Sequence, residues 1–153
     1  MNNAGILLAL PYDHYPADRV DDILAVNLRA PVALIQAFAP GMVQRHAGRI
    51  ITVASLAGQI GHPDIWYGIT KAGVMNTTKS FAKLLGPSGI QVNCVAPGPV
   101  EDTAMFQSIP DARKHQIRAL VISGRFATPA DVAETVYWLA TQAPPYITGI
   151  CVE

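Results

Sequence analysis

Gly48-Arg49-Ile50-Ile51-Thr52-Val53-Ala54-Ser55 and Ile90-Gln91-Val92-Asn93-Cys94-Val95-Ala96-Pro97-Gly98 decide the fold. Each is a short run rich in β-branched residues, bounded by glycine turns, and reads as a buried strand. Between them Trp66 to Leu85 has the length of a helix and ends at Gly86-Pro87, a stop signal. Buried strands alternating with long helices predict an α/β fold, part of a doubly wound parallel sheet with helices on both faces.

Upstream, Val20, Ile23, Leu24, Asn27, Leu28, Leu34, Ile35, Phe38 and Met42 recur near helical spacing and predict a helix from Asp18 to Arg45. Pro31 and Pro40 lie inside it and predict a kink or break. Pro11 to Pro16 reads as a loop, and Asn2-Asn3-Ala4-Gly5 as a turn. Downstream, Thr103 to Gly124 is helical in places. Thr128-Pro129-Ala130-Asp131 is a helix start, with Thr as N-cap, Pro at N1 and Asp in the first turn, running to about Gln142. Gly149 to Glu153 begins another strand. The 153 residues make a single domain without internal repeats. So small a parallel sheet leaves edges unpaired, and further strands are expected, chiefly before Met1.

Net charge is zero, and Lys and Arg do not cluster, which argues against a nucleic-acid partner. Charged residues are 14%, against roughly 25% in an ordinary domain. A surface partly covered by other subunits, or by the rest of the same domain, suits that balance. The uncharged stretch Ala30 to Gln44 is interrupted by Pro31 and Pro40 and falls short of the roughly 20 apolar residues of a membrane span. No basic segment with an apolar run opens the chain. A cytoplasmic location without membrane partners is expected. Cys94 and Cys151 sit in apolar runs and read as core residues rather than a disulfide or metal site.

Tyr67-Gly68-Ile69-Thr70-Lys71 places a phenol and an ammonium one helical turn apart. A tyrosine titrates near pH 10, and a neighbouring ammonium favours its phenolate, so the pair suits proton transfer to or from an alcohol. Alone, this spacing is common on helices. Ser55 ends the first strand, where ligands of parallel sheets sit; alone, it reads as a turn residue. Asn27 is a polar residue on an apolar helix, suited either to stabilising a kink or to holding a water beside Lys71. Pro97-Gly98-Pro99-Val100 follows the second strand and offers backbone to a ligand ring; alone, it is a sharp turn.

The ordered set Asn2-Asn3-Ala4-Gly5, Asn27, Ser55, Tyr67-x-x-x-Lys71 and Asn93-x-x-Ala96-Pro97-Gly98 resembles the short-chain dehydrogenase/reductase superfamily. Thr128 to Ala133 and Tyr146-Ile147-Thr148-Gly149 extend the likeness through nearly the whole chain. The resemblance implies a Rossmann sheet and hydride transfer between NAD or NADP and a small-molecule carbonyl or alcohol. It implies Tyr67 as general acid/base, with Lys71 lowering its pKa and binding the nicotinamide ribose. Ser55 would hold the substrate oxygen and Asn27 the proton-relay water. Asn3, Ala4 and Gly5 would lie against the adenosine side of the cofactor. Pro97, Gly98 and Val100 would meet the nicotinamide end, with Thr103 a further contact. Homodimers or homotetramers through the two long helices are also implied.

Ser55 and Tyr67 are 12 residues apart, one fewer than the family's common spacing. Thr103 comes one residue later than the family pattern, because Glu101-Asp102 intervenes. No Gly-rich phosphate-cradling turn and no acidic or basic selector of NAD or NADP is recognisable here. The chain therefore reads as the C-terminal part of such a domain. Two functions follow as expectations: an NAD(P)-dependent oxidoreductase, or a catalytically incompetent fragment acting as an oligomerisation module. His62 reads as a loop residue near substrate. His14, His46 and His115 show no metal-ligand spacing. Trp66 and Tyr12 suit either a pocket or packing, and Met105, Phe106 and Ile109 an apolar lid or core.

Overall fold

The computed structural model describes residues Met1–Glu153. Its first long element is continuous from Ala17 to Arg45. It comprises α1 (Ala17–Leu24), a π-helical turn (Ala25–Arg29) and α2 (Ala30–Arg45). The helix expected here is present, but the break is not. Pro31 is accommodated by widening the turn before it, where the Ala30 N–H reaches back to the Ala25 carbonyl. Because the helix runs through both prolines, its 29 residues are long and apolar enough by composition to cross a membrane, which corrects the reading that prolines cut this run short. In this structure it packs instead on the sheet through Ile35 and Ala39.

The strands are β1 (Gly48–Val53), β2 (Ile90–Val95) and β3 (Cys151–Val152). They pair in the order β1-β2-β3, all parallel. On the outer edge of β1, the Asn2 N–H donates to Ile51 O and the Val53 N–H to Asn2 O, both at 2.8 Å. The N-terminal residues thus begin a further parallel bridge on that side. Alternation along the strands builds two layers. Ile50, Ile90 and Val92 face α2 and α3 (Ile65–Leu85), packing with Ile35, Ala39 and Ala82. Ile51 and Val95 face α6 (Pro129–Thr141) across Leu139 and Ala143.

The α6 start has the Thr N-cap, N1 Pro and first-turn Asp read from the sequence, and the structure closes them into a capping box: Thr128 Oγ1 accepts from Asp131 N, and the Asp131 carboxylate accepts from the Thr128 N–H. Its end is held by Arg49, whose guanidinium donates to the carbonyls of Leu139 and Ala143, both at 2.8 Å. A cation on the last carbonyls of a helix also suits its dipole. Asn93 of β2 donates to Ile147 O and accepts from Ile150 N, which brings the C-terminal segment alongside as β3. Between β2 and α6 lie two short helices, α4 (Ala104–Gln107) and α5 (Asp111–Arg118). Cys94 and Cys151 are in register on β2 and β3 and are free thiols.

Candidate active site

Tyr67 and Lys71 occupy the first turns of α3, which the side chain of Asp64 caps by accepting from Tyr67 N at 3.1 Å. Both are buried, at 7% and 4% exposure. Lys71 turns toward β1, where its Nζ donates to the Val53 carbonyl at 3.0 Å and lies 5.6 Å from the Tyr67 ring centroid. Burial lowers the ammonium from its ordinary value to about 8. The Tyr67 phenol lies above its ordinary value, mainly through burial; the Asp64 charge adds to this and a hydrogen bond with Ser55 opposes it. Burial, not Lys71, sets the direction of the shift in this structure.

Ser55 sits just beyond β1, as expected. Its Oγ accepts from Ala57 N at 3.2 Å and makes a long contact to Pro97 O at 3.5 Å. The turn Leu56–Gly58 that follows lies flush on α3. A Cβ at Gly58 would meet Ala72 N at 2.6 Å and the Lys71 carbonyl carbon at 2.7 Å. Glycine is required there by close backbone approach.

Asn27, 1% exposed, lies in the π-helical turn. Its Oδ1 accepts from Ile6 N at 2.8 Å, and its Nδ2 donates to Ile6 O at 2.9 Å and to Thr70 Oγ1 at 3.2 Å. The amide thus binds the N-terminal turn to α3. The amide of Asn27, the residue expected to hold the relay water, is thus committed to Ile6 and Thr70. Pro31 has no N–H to give the Asn27 main-chain carbonyl an α-helical partner.

Gly5 lies over this pair, and a Cβ there would come within 3.3 Å of Lys71 Nζ and 3.5 Å of Asn27 Oδ1. Asn3, Ala4 and Gly5 are exposed. Gly5, Asn27, Ser55, Tyr67 and Lys71 therefore form one site. Pro97 joins it by accepting from Leu56 N at 3.1 Å, and Gly98 lies against Leu56. Val100 pairs instead with Ala127. Thr103 caps α4, donating to Val100 O and accepting from Phe106 N, so its hydroxyl is committed to the turn.

His62 stands 5.3 Å from the Tyr67 ring, and its Nδ1 accepts from Asp64 N. Trp66 packs in the cluster of Leu8, Ile23, Ala57 and Tyr67, whereas Tyr12 is exposed. Phe106 packs edge-on against Phe126, 5.0 Å between centroids. No group of three or more His, Cys, Asp or Glu side chains forms a metal site. Sequence reasoning missed Asp64. Its signal was an acid three residues before Tyr67, at the N-cap position of a helix expected to begin near Trp66.

These residues are of the kinds that suit a dinucleotide. Lys71 supplies an ammonium, Tyr67 a phenol, and Asn3 to Gly5 and Pro97-Gly98 open backbone surface. Fold and site together define a Rossmann-type α/β protein built around a Ser–Tyr–Lys centre. The model of the enoyl-(acyl carrier protein) reductase family matches residues 1–152. The 3-oxoacyl-[acyl-carrier-protein] reductase FabG of Staphylococcus aureus (strain Mu50) is 37% identical over 150 residues, 97% of this chain and 61% of that protein. Among solved structures, a 3-oxoacyl-[acyl-carrier protein] reductase from Brucella melitensis with bound NAD matches at TM-score 0.86 and 31% identity, over 99% of this chain and 58% of that one. ElxO with NADP bound matches at TM-score 0.88 and 28% identity, over 99% of this chain and 62% of that one. The chain belongs to the short-chain dehydrogenase/reductase superfamily. It spans 61% of the length of the curated relatives it matches.

Proposed function

We propose that this chain carries the proton-transfer centre of an NAD(P)-dependent oxidoreductase acting on a ketone, a β-ketoacyl group or a secondary alcohol. The observation that carries this reading is the convergence of Ser55, Tyr67 and Lys71 beside the last residues of β1, with Lys71 Nζ on Val53 O. A bound nicotinamide supplies or accepts the hydride, and the chain's own residues handle the substrate oxygen and its proton. Ser55 hydrogen-bonds that oxygen. The phenol of Tyr67, held above its ordinary value by burial, is protonated at neutral pH and is set to donate to a forming alkoxide. Lys71 keeps positive charge beside the phenol and offers its remaining N–H donors to the ribose. The Asn27 main-chain carbonyl anchors the water that resupplies the proton.

In this reading Asn3, Ala4 and Gly5 meet the adenosine side of NAD or NADP, Pro97, Gly98 and Val100 the nicotinamide end, and Thr103 orders that loop. A cytoplasmic homodimer or homotetramer completes the proposal. Exposed Phe38 and Leu34 on α2 and Ile69 and Leu84 on α3, each at least 46% exposed, support association through the long helices. A second reading is favoured by one observation. A groove of about 250 Å³ beside β1 is lined by Met1, Leu34, Ile35, Phe38, Met42 and Ile50, an apolar surface of the kind used for assembly. In that reading the chain is a catalytically incompetent oligomerisation module.

Calorimetric titration with NADH and NADPH, followed by turnover of a β-ketoacyl thioester, separates the two. Micromolar binding with turnover that Tyr67→Phe abolishes supports the first. An absence of binding supports the second. Near-normal turnover by Tyr67→Phe rejects Tyr67 as the acid/base.

A further inference from the structure

Asp64 is a carboxylate with 3% exposure in the loop between Ser55 and Tyr67. Four donors converge on it. Oδ2 accepts from Leu8 N at 2.7 Å and Ala9 N at 2.9 Å. Oδ1 accepts from Tyr67 N at 3.1 Å and the Tyr15 hydroxyl at 3.2 Å. It takes part in none of the ion pairs. A buried anion without a cation is held only where hydrogen bonds replace its water.

A plain N-cap needs one acceptor, which a neutral Ser, Thr or Asn supplies. Asp64 goes further, joining a segment 55 residues away in sequence to the helix that carries Tyr67 and Lys71. It also holds that segment in an unusual shape. Ala9 has φ of +52°, a left-handed conformation that residues with a side chain rarely adopt. In that conformation consecutive N–H groups reach the same carboxylate oxygen.

We propose that Asp64 is a positioning residue for Tyr67, which locks the 8–15 segment onto the start of α3 and fixes, through its charge, the electrostatic surroundings in which the phenol works. The proposal rests on the reading of Tyr67 as acid/base. The titratable and charged groups around the phenol are few. Lys71 faces it from the same helix, His62 from the preceding loop at 5.3 Å, and the Tyr15 phenol from the 11–16 loop. Ser55 adds a hydroxyl from beyond β1, while α1 and the 6–10 segment contribute Ile23 and apolar side chains. Asp64 is the one acid in this set, and its charge acts with burial in keeping the phenol protonated.

The test follows the Tyr67 proton directly. The chain is labelled with ¹³C-tyrosine, the Tyr67 signal is assigned by its loss in Tyr67→Phe, and the phenol is titrated in wild type, Asp64→Asn and Asp64→Ser. Serine keeps a neutral capping oxygen if asparagine disrupts the loop. The expected result is a Tyr67 midpoint lowered in the folded variants, with the limb of any pH–rate profile moving the same way. A merely structural cap would change melting temperature and leave the midpoint in place; an unmoved midpoint in a folded variant overturns the proposal. Failure of both variants to fold makes Asp64 structural and overturns it equally. The titration needs no turnover. Failure of the oxidoreductase reading shows separately, as absence of cofactor-dependent activity in wild type.

Discussion

Replacing Lys71 with methionine should make the protein more stable at neutral pH. Methionine has similar length and removes only the charge and the donor. Burial depresses the Lys71 ammonium from 10.5 to about 8. At 1.36 kcal/mol per unit that is about 3 kcal/mol of destabilisation wherever the group is charged. Against it stands the bond from Nζ to Val53 O at 3.0 Å, whose loss strands a carbonyl and costs on the order of 1–2 kcal/mol. The net expectation for Lys71→Met at pH 7 is a gain of about 1–2 kcal/mol, accompanied by loss of any turnover.

The pH dependence gives the sign independently. Between about 8 and the unfolded value of 10.5, the unfolded chain binds more protons at this site than the folded one. Stability contributed by this site therefore rises with pH across that window and is absent below it. Urea unfolding at pH 7 and pH 10.5 measures both effects, with midpoint and slope fitted separately. The advantage of Lys71→Met should shrink or vanish at the higher pH. A variant less stable than wild type at pH 7, or a difference that does not change with pH, would refute the reasoning.

Three further outcomes are expected. Gly58→Ala should cost about 2–3 kcal/mol by overpacking, since its Cβ would meet α3 backbone at 2.6 Å, whereas Gly61→Ala, with nothing within 4 Å, should be near neutral; paired thermal melts decide it, and equal melting temperatures would contradict the contact. Arg49→Met should cost about 2 kcal/mol by stranding the Leu139 and Ala143 carbonyls, and hydrogen exchange should rise in the last turn of α6. Asp131, held well below the usual carboxylate range by Arg125 and the Thr128 bonds, contributes stability present above its unfolded pKa and lost as pH falls toward the folded one; Asp131→Asn should flatten the acid limb of the unfolding curve, and an unchanged limb would exclude it.

The elements that could be read from the sequence are those with local punctuation. Thr128, Pro129 and Asp131 declare the start of α6 within four residues, and the bonds they promise are the bonds found. The runs at Ile50 and Ile90 are strands because their glycine and proline boundaries leave little else. The features that escaped reading depend on partners far along the chain. Nothing near Asn27 says that its amide will bind Ile6, 21 residues away, and nothing near Asp64 announces Leu8. The π-helical turn escaped because Pro31 was weighed as a helix breaker, whereas a long helix anchored on the sheet absorbs the missing donor by widening one turn. The start of a helix at Ala104 gives the Thr103 hydroxyl a capping role that its place in the family pattern does not announce. The direction of the Tyr67 shift could not be read from spacing either. An ammonium at i+4 argues downward, burial argues upward, and burial is known only once the chain is folded.

Position at this site is enforced by backbone more than by side chains. Lys71 is bounded on one side by Gly58, whose missing side chain lets the turn rest on the Lys71–Ala72 peptide. On another it is bounded by Gly5, and its ammonium is tethered to a strand carbonyl. Asn27 and Asp64 then tie the N-terminal residues to α3 through main-chain donors at Ile6, Leu8 and Ala9. Main-chain groups have fewer soft degrees of freedom than side chains, so the Tyr67–Lys71 pair held this way is preorganised for the proton transfer proposed for it. The same argument explains where stability is given up: a lysine that charges with difficulty, an alanine at positive φ and a buried carboxylate lie within one cluster. Strain of this kind persists only where the surroundings over-determine it, and here the surroundings are α3, the end of β1 and the first nine residues of the chain.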